Sequence, residues 1–241
     1  MANNPLNLNG IDFVEFSSDS PSTLHQIFID FGFSKIAKHG EKNFDLYSQN
    51  DITFFTNYEH GSFGDQFQKK HGPSISAMGW RVQNANHAHK EALSRGAKNY
   101  PNGDYSYVDG RPVPAIFGIG DSLIYFIEPD ESRGFTYSRF GFEKLQDPIL
   151  VRQKGFLTID HLTNNVYKGT MNEWATFYKD IFGFEEVRYF DIKGNYFGGI
   201  CHASTALSVG QSVWIRLDEE RGHLFDATFV LGSSAQSMEV A

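Results

Sequence analysis

Nine histidines and one cysteine are the side chains in these 241 residues best suited to hold a metal or act as a nucleophile. Cys201 is the lone cysteine, so no internal disulfide can form. His87 and His89 lie two apart on a predicted helix, face different ways and read as solvated, while His25, His39 and His60 read as surface or turn residues. His161 is different, because it falls in an alternating run, Thr158–Leu162, on one predicted strand face with Leu157 and Ile159. On spacing alone, a single imidazole on an apolar strand face is more often a hydrogen-bonded core residue than a ligand. No nucleophile elbow, P-loop or zinc cysteine cluster occurs, and Gly118-Ile119-Gly120 lacks the third glycine and following helix of a dinucleotide fingerprint.

The elements that must position His161 recur along the chain. Ile11–Phe16 alternates as a strand; Ser20 and Pro21 then open a helix carrying Leu24, Ile27, Phe28 and Phe31, which stops at Gly32. Three strand-like runs follow, at residues 33–38, 44–48 and 52–58, completing a β-α-β-β-β string. A second string has a strand at 74–82, a helix capped by Asn84 and running to Gly96, and strands near 115–118 and 123–127. Periodicity weakens between Pro129 and Gly155, a span read as a connector packed against its neighbours. The opening pattern then returns. Thr158-Ile159-Asp160-His161-Leu162 repeats Gly10-Ile11-Asp12-Phe13-Val14, Thr170–Glu173 reads as a capping box, and Phe182-Gly183-Phe184 repeats Phe31-Gly32-Phe33. Phe13 thus stands where the later copy has His161.

Composition bounds the function. Apolar residues at 40% with 23 Phe suit a globular protein with β-rich cores, and the length fits two ordinary domains. A net charge of −8 without a basic cluster argues against a nucleic-acid partner. No run is long and apolar enough for a membrane span, and the first ten residues do not read as a secretory signal, so a cytoplasmic location is expected.

Ile159–Val166, the Trp174–Tyr178 helix and Arg188–Gly194 together resemble the 4-hydroxyphenylpyruvate dioxygenase family. The first copy agrees, through His71–Ser74 leading to Trp80-Arg81-Val82 and through Pro114–Gly120, so the resemblance covers residues 7 to 194. It implies an α+β fold of tandem βαβββ vicinal-oxygen-chelate (glyoxalase/bleomycin-resistance-like) modules, the first domain complete and the second incomplete. The expected limits are residues 1–130 for a metal-free supporting domain, 131–154 for the connector, 155–194 for the start of an iron-binding-type domain and 195–241 for a divergent tail.

The implied cofactor is Fe(II), held by two histidines and one glutamate, a triad that leaves open positions for a 2-oxo acid substrate and dioxygen. The implied reaction is oxidative decarboxylation, ring hydroxylation and side-chain migration giving homogentisate, in tyrosine breakdown. His161 matches the first ligand; Asp160, on the opposite strand face, reads as structural. For the second ligand the candidate is His223, in His223-Leu224-Phe225, although it sits nearer His161 than the family spacing; His202 and Glu239 are further donors. The tail after Gly194 departs from the family pattern and is read as the product of a frameshift or early termination. The alternatives are a non-catalytic homologue that associates with other copies, giving a homo-oligomer, and a first module that binds a small ligand in its open barrel.

Overall fold

The computed structural model describes residues 4–129, 135–192, 195–201, 212–217 and 224–230, with side chains described in 4–129 and 135–186. The first unit runs β1 (Leu8–Ser17), α1 (Pro21–Asp30), β2 (Ser34–His39), β3 (Phe44–Gln49) and β4 (Ile52–Asn57). After α2 (Phe63–His71), the second runs β5 (Ser74–Val82), α3 (Ala85–Ser94), β6 (Ala115–Phe117) and β7 (Leu123–Ile127). Its remaining strand is reduced to a single bridge, Asn99 to Ile116. In each unit the first strand pairs in parallel with the last, β1 with β4 and β5 with β7. An antiparallel β1–β5 seam joins the two units, giving the order β6-β7-β5-β1-β4-β3-β2-β8. Strand β8 (Phe142–Ile149) lies inside the expected connector and pairs antiparallel with β2. Among the described residues no helix is long and apolar enough to cross a membrane.

Period-two alternation assigns the faces of this sheet. Phe13, Phe55, Leu123, Tyr125 and Ile127 point into one core with Phe44, Tyr105 and Phe142. Phe28, Phe33, Tyr47 and Ile52 pack around α1 on the other face, and Trp80, Ala88, Ala92, Ile124 and Phe126 pack around α3. Phe13 is stacked on Phe55 at 4.4 Å between ring centroids and meets Tyr105 edge-on at 5.5 Å, distances at which aromatic pairs attract. Gly79, across the seam from Phe13, leaves room for that ring. A Cβ there would overlap it and lie 3.0 Å from Ile127 Cγ1.

Helix starts partly match the sequence. Asn84 accepts from the His87 amide at 2.8 Å as its position predicts. Ser20 instead bonds the Thr23 hydroxyl, and Thr170 donates to the Tyr167 carbonyl, so the expected capping box does not form. Helix α2 has no apolar stripe in the sequence, but Ser62 accepts from the Asp65 amide at 2.9 Å and Gly72 ends it at φ +79°. That cap pair was the available signal.

Polar side chains close one end of the inner core. Glu15, completely buried, accepts from Ser76 Oγ at 2.5 Å, Asn57 Nδ2 at 3.1 Å and the Tyr105 hydroxyl. Asn57 Nδ2 also donates to Asp104 Oδ2 at 3.0 Å, and Asp104 accepts the Phe63 and Gly64 amides at the start of α2, at 2.8 and 3.1 Å. A carboxylate on those amides satisfies donors that a helix start leaves unpaired and complements its dipole. Burial, and next the charge of Asp104, push the Glu15 carboxyl up to about 7, against the lowering effect of its hydrogen bonds.

This interior makes two outcomes measurable. Gly79→Ala is expected to cost about 1–3 kcal/mol in urea unfolding by overpacking, and Phe13→Leu in the same chain should recover part of it; equal losses in the single and double variants would contradict the assignment. Because the folded Glu15 binds its proton more tightly than the unfolded chain does, its stabilising contribution is complete below about pH 4.5 and is lost as pH rises through about 7. Denaturant midpoints from pH 5 to 8.5 should fall by the equivalent of about 3 kcal/mol from this group, and Glu15→Gln should remove that component.

Candidate functional site

The chain reaches His161 by crossing the outside of the first sheet. Gln49 Oε1 accepts the amides of Lys154, Gly155 and Phe156 at 2.7 to 3.3 Å, and Gln49 Nε2 donates to the Phe31 carbonyl. Asn50 Nδ2 donates to the Phe156 carbonyl and the Asp51 amide to that of Leu157. Gly32 permits this path: at φ +83° it lies where a Cβ would meet Arg152 O and Lys154 N at 2.8 Å. Ile159 then packs on the Phe28–Phe33 cluster and Leu162 on the Trp80 cluster.

Residues 158–162 are therefore not the strand expected from their alternation. A strand requires a neighbour to accept and donate along its length, and among the described residues no ladder includes this segment. Leu157 is largely exposed rather than sharing an apolar face with His161. Asp160 does not point away from the imidazole either: its Oδ2 accepts from His161 Nδ1 at 2.9 Å, a bond that fixes the tautomer as carboxylates do for metal-bound histidines. Side chains on opposite strand faces cannot meet, whereas neighbours in an irregular segment can.

Helix α4 (Met171–Phe182), next along the chain, buries Tyr178, Ile181 and Phe182 in the core beside α3. Trp80 lies 4.6 Å from the Phe182 ring and stacks nearly parallel to Phe184 at 5.5 Å. Beyond it, β9 (Glu185–Ile192) pairs with β10 (Asn195–Cys201), and β11 (Ser212–Leu217) with β12 (Leu224–Val230), as two separate antiparallel ladders.

The corresponding positions of the first copy have a different chemistry. Phe13 cannot coordinate a metal, and its ring fills the space an imidazole would use. Asp12, the counterpart of Asp160, accepts from the Tyr137 hydroxyl at 2.9 Å and Arg81 Nε at 3.2 Å. Burial raises its pKa, opposed by those two partners. Arg81 reaches on to Asp51 with two bonds of 3.0 and 2.9 Å, which ties the seam to the turn that holds Leu157. Glu15 is a polar residue that sequence reasoning missed. Its signal was a position two residues after Phe13, on the same inward strand face, where a carboxylate is out of place without partners.

As a donor set for Fe(II), the described residues do not suffice. They contain no group of three or more His, Cys, Asp or Glu placed to hold a metal, and His161 Nδ1 is engaged by the adjacent Asp160 carboxylate. His202, His223 and Glu239 lie outside the described residues. This geometry therefore supports the orientation of one imidazole and no step of a reaction at a metal.

Comparison with known proteins places the chain in a family. A family model described as hydroxyphenylpyruvate dioxygenase, N-terminal, matches residues 2–139. Protein MelA of Shewanella colwelliana is 55% identical over 194 residues, covering 80% of this chain and 54% of the relative. The 4-hydroxyphenylpyruvate dioxygenase of Pseudomonas sp. (strain P.J. 874) is 40% identical over 208 residues, covering 84% of this chain and 56% of the relative. The chain thus spans a little over half the length of these curated relatives. A solved xylose isomerase-like TIM barrel/4-hydroxyphenylpyruvate dioxygenase fusion protein superposes with a TM-score of 0.71 at 25% identity, over 84% of this chain and 32% of that one. With its paired β-α-β units joined at the β1–β5 seam, this α+β chain belongs to the hydroxyphenylpyruvate dioxygenase family and carries that family's vicinal-oxygen-chelate fold.

Proposed function

We propose that this chain serves the family's reaction in tyrosine breakdown: Fe(II)-dependent conversion of 4-hydroxyphenylpyruvate and dioxygen to homogentisate, in the cytoplasm, with His161 as one metal ligand. The observation that carries the reading is the 40% identity to a 4-hydroxyphenylpyruvate dioxygenase across a stretch that includes the metal-position repeat. Fe(II), when bound, would supply the redox chemistry with dioxygen. Asp160 would hold the His161 imidazole in one tautomer and orientation. The first unit acts as support. The interior of the eight-stranded sheet is filled by rings, Phe13, Phe44, Phe55, Tyr105 and Phe142, which favours a scaffold over a ligand-binding barrel.

A second reading is a non-catalytic homologue that supports or associates with other copies. The docking of α4 on the Trp80 face favours the support role, because that contact makes the eight-stranded sheet a platform for the segment that follows it.

The readings part on iron and product. Anaerobic Fe(II) titration followed by an assay for homogentisate should give stoichiometric binding and turnover, with His161→Ala weakening iron affinity at least tenfold. A folded sample that binds no iron, forms no homogentisate and is indifferent to His161→Ala would leave the support role standing. Sedimentation of that sample would then decide whether copies associate.

A further inference from the structure

Helix α2 interrupts the repeat between β4 and β5 and lies against β1 and β5 of the sheet. Its start is held against the C-terminal ends of β1 and β4. A Cβ on Gly64 would overlap Ser17 Oγ and sit 2.9 Å from Asn57 Cγ, so the helix approaches more closely than another residue would allow. Three bonds fasten it: Phe63 and Gly64 amides to the Asp104 carboxylate, and Ser62 Oγ to Asn57 Oδ1 at 3.2 Å. The other end of each fastening leads to Glu15. Asn57 Nδ2 donates to both carboxylates, so the charge state of Glu15 is felt one amide away by the group that holds the helix.

The groups facing Glu15 come from every element around it. Ser17 lies beside it on β1, Asn57 on β4 and Ser76 on β5; Tyr125 belongs to β7, and Asp104 and Tyr105 to the loop after α3. Lys42, a cation from the β2–β3 turn, donates to the Asp104 backbone carbonyl rather than to either carboxylate. Asp65 of α2 faces outward to Lys69, at 2.6 Å, and His60. An ionised Glu15 therefore meets a second carboxylate across a shared amide, with no buried cation between them among the described residues. Like charges so placed repel strongly because little water screens them. A cleft of about 260 Å³ lined by Ser18, Asn57, Tyr58, Asp65 and Gln68 lies beside the start of the helix.

We propose that α2 is a proton-sensitive cap: with Glu15 protonated, the Glu15–Asn57–Asp104 relay holds it on the barrel, and ionisation of Glu15 releases it and lets water reach both carboxylates. The device is independent of His161 and of any metal. The affinity of Glu15 for its proton, near neutrality, sets the range in which the cap responds.

Hydrogen exchange by mass spectrometry on the intact chain tests it. After correction for intrinsic rates, protection of residues 63–71 should fall steeply above pH 7, approaching tenfold per pH unit for release of one proton, while β7 stays more protected. Glu15→Gln should keep α2 protected at pH 8.5. Asp104→Asn should weaken the fastening at pH 6 as well as at pH 8.5. Protection of α2 that is flat with pH, that falls in Glu15→Gln as in the parent, or that is lost only together with β7 would overturn the proposal.

Discussion

The antiparallel seam between β1 and β5 is the constraint to which the other features answer. It sets Phe13 opposite Gly79, joins the two parallel strand pairs into one sheet, and turns alternate residues of both strands toward a shared interior. Only a residue without a side chain can stand across from that ring, and only a ring of that size fills the middle of the barrel against Phe55, Tyr105 and Tyr125. Close packing of this kind has no slack for a ligand. The position that carries His161 in the later copy is thus spent, in the first copy, on holding the scaffold together.

The same seam brings acids inward. Asp12 and Glu15 occupy one strand, and each has been matched with donors rather than left bare. Asp12 is tied to Arg81 and Tyr137, a pairing that includes a cation; Glu15 is held by hydroxyls and an amide. That difference explains why their surroundings do different things. For Asp12 a guanidinium and a hydroxyl offset part of what burial costs the charged form, whereas Glu15, held by neutral donors beside a second carboxylate, is pushed up to about 7.

The long connection between β7 and α4 is also part of the architecture. The chain after Phe140 adds β8 to the edge of the sheet, where Glu143, Lys144 and Pro148 suit an exposed edge strand that should not recruit further partners. It then winds past Gly32 and Gln49 before α4 settles on Trp80. Residues of both units thereby set the path of the chain into α4.

The helices α1, α3 and α4 and strands β1 to β5 were legible in the sequence because each carries its period and its stop signals locally, as Pro21, Asn84, Gly32 and Gly183 show. The repeat was legible too, since Ile11-Asp12-Phe13 and Ile159-Asp160-His161 share residue types at matching places, and with it the family. Strand β8 was not, because its alternation is broken by charges and a proline, and its pairing depends on β2 more than a hundred residues earlier. Nor were the bonds of Glu15 and Asp104, which lie far apart in the chain and come to share Asn57 only when the sheet assembles. His161 shows both sides. Its identity as a candidate ligand belongs to the sequence, but its alternation predicts a strand that the described structure does not form, because strand pairing and side-chain direction are properties of the neighbours a segment finds, and those are decided by the tertiary structure alone.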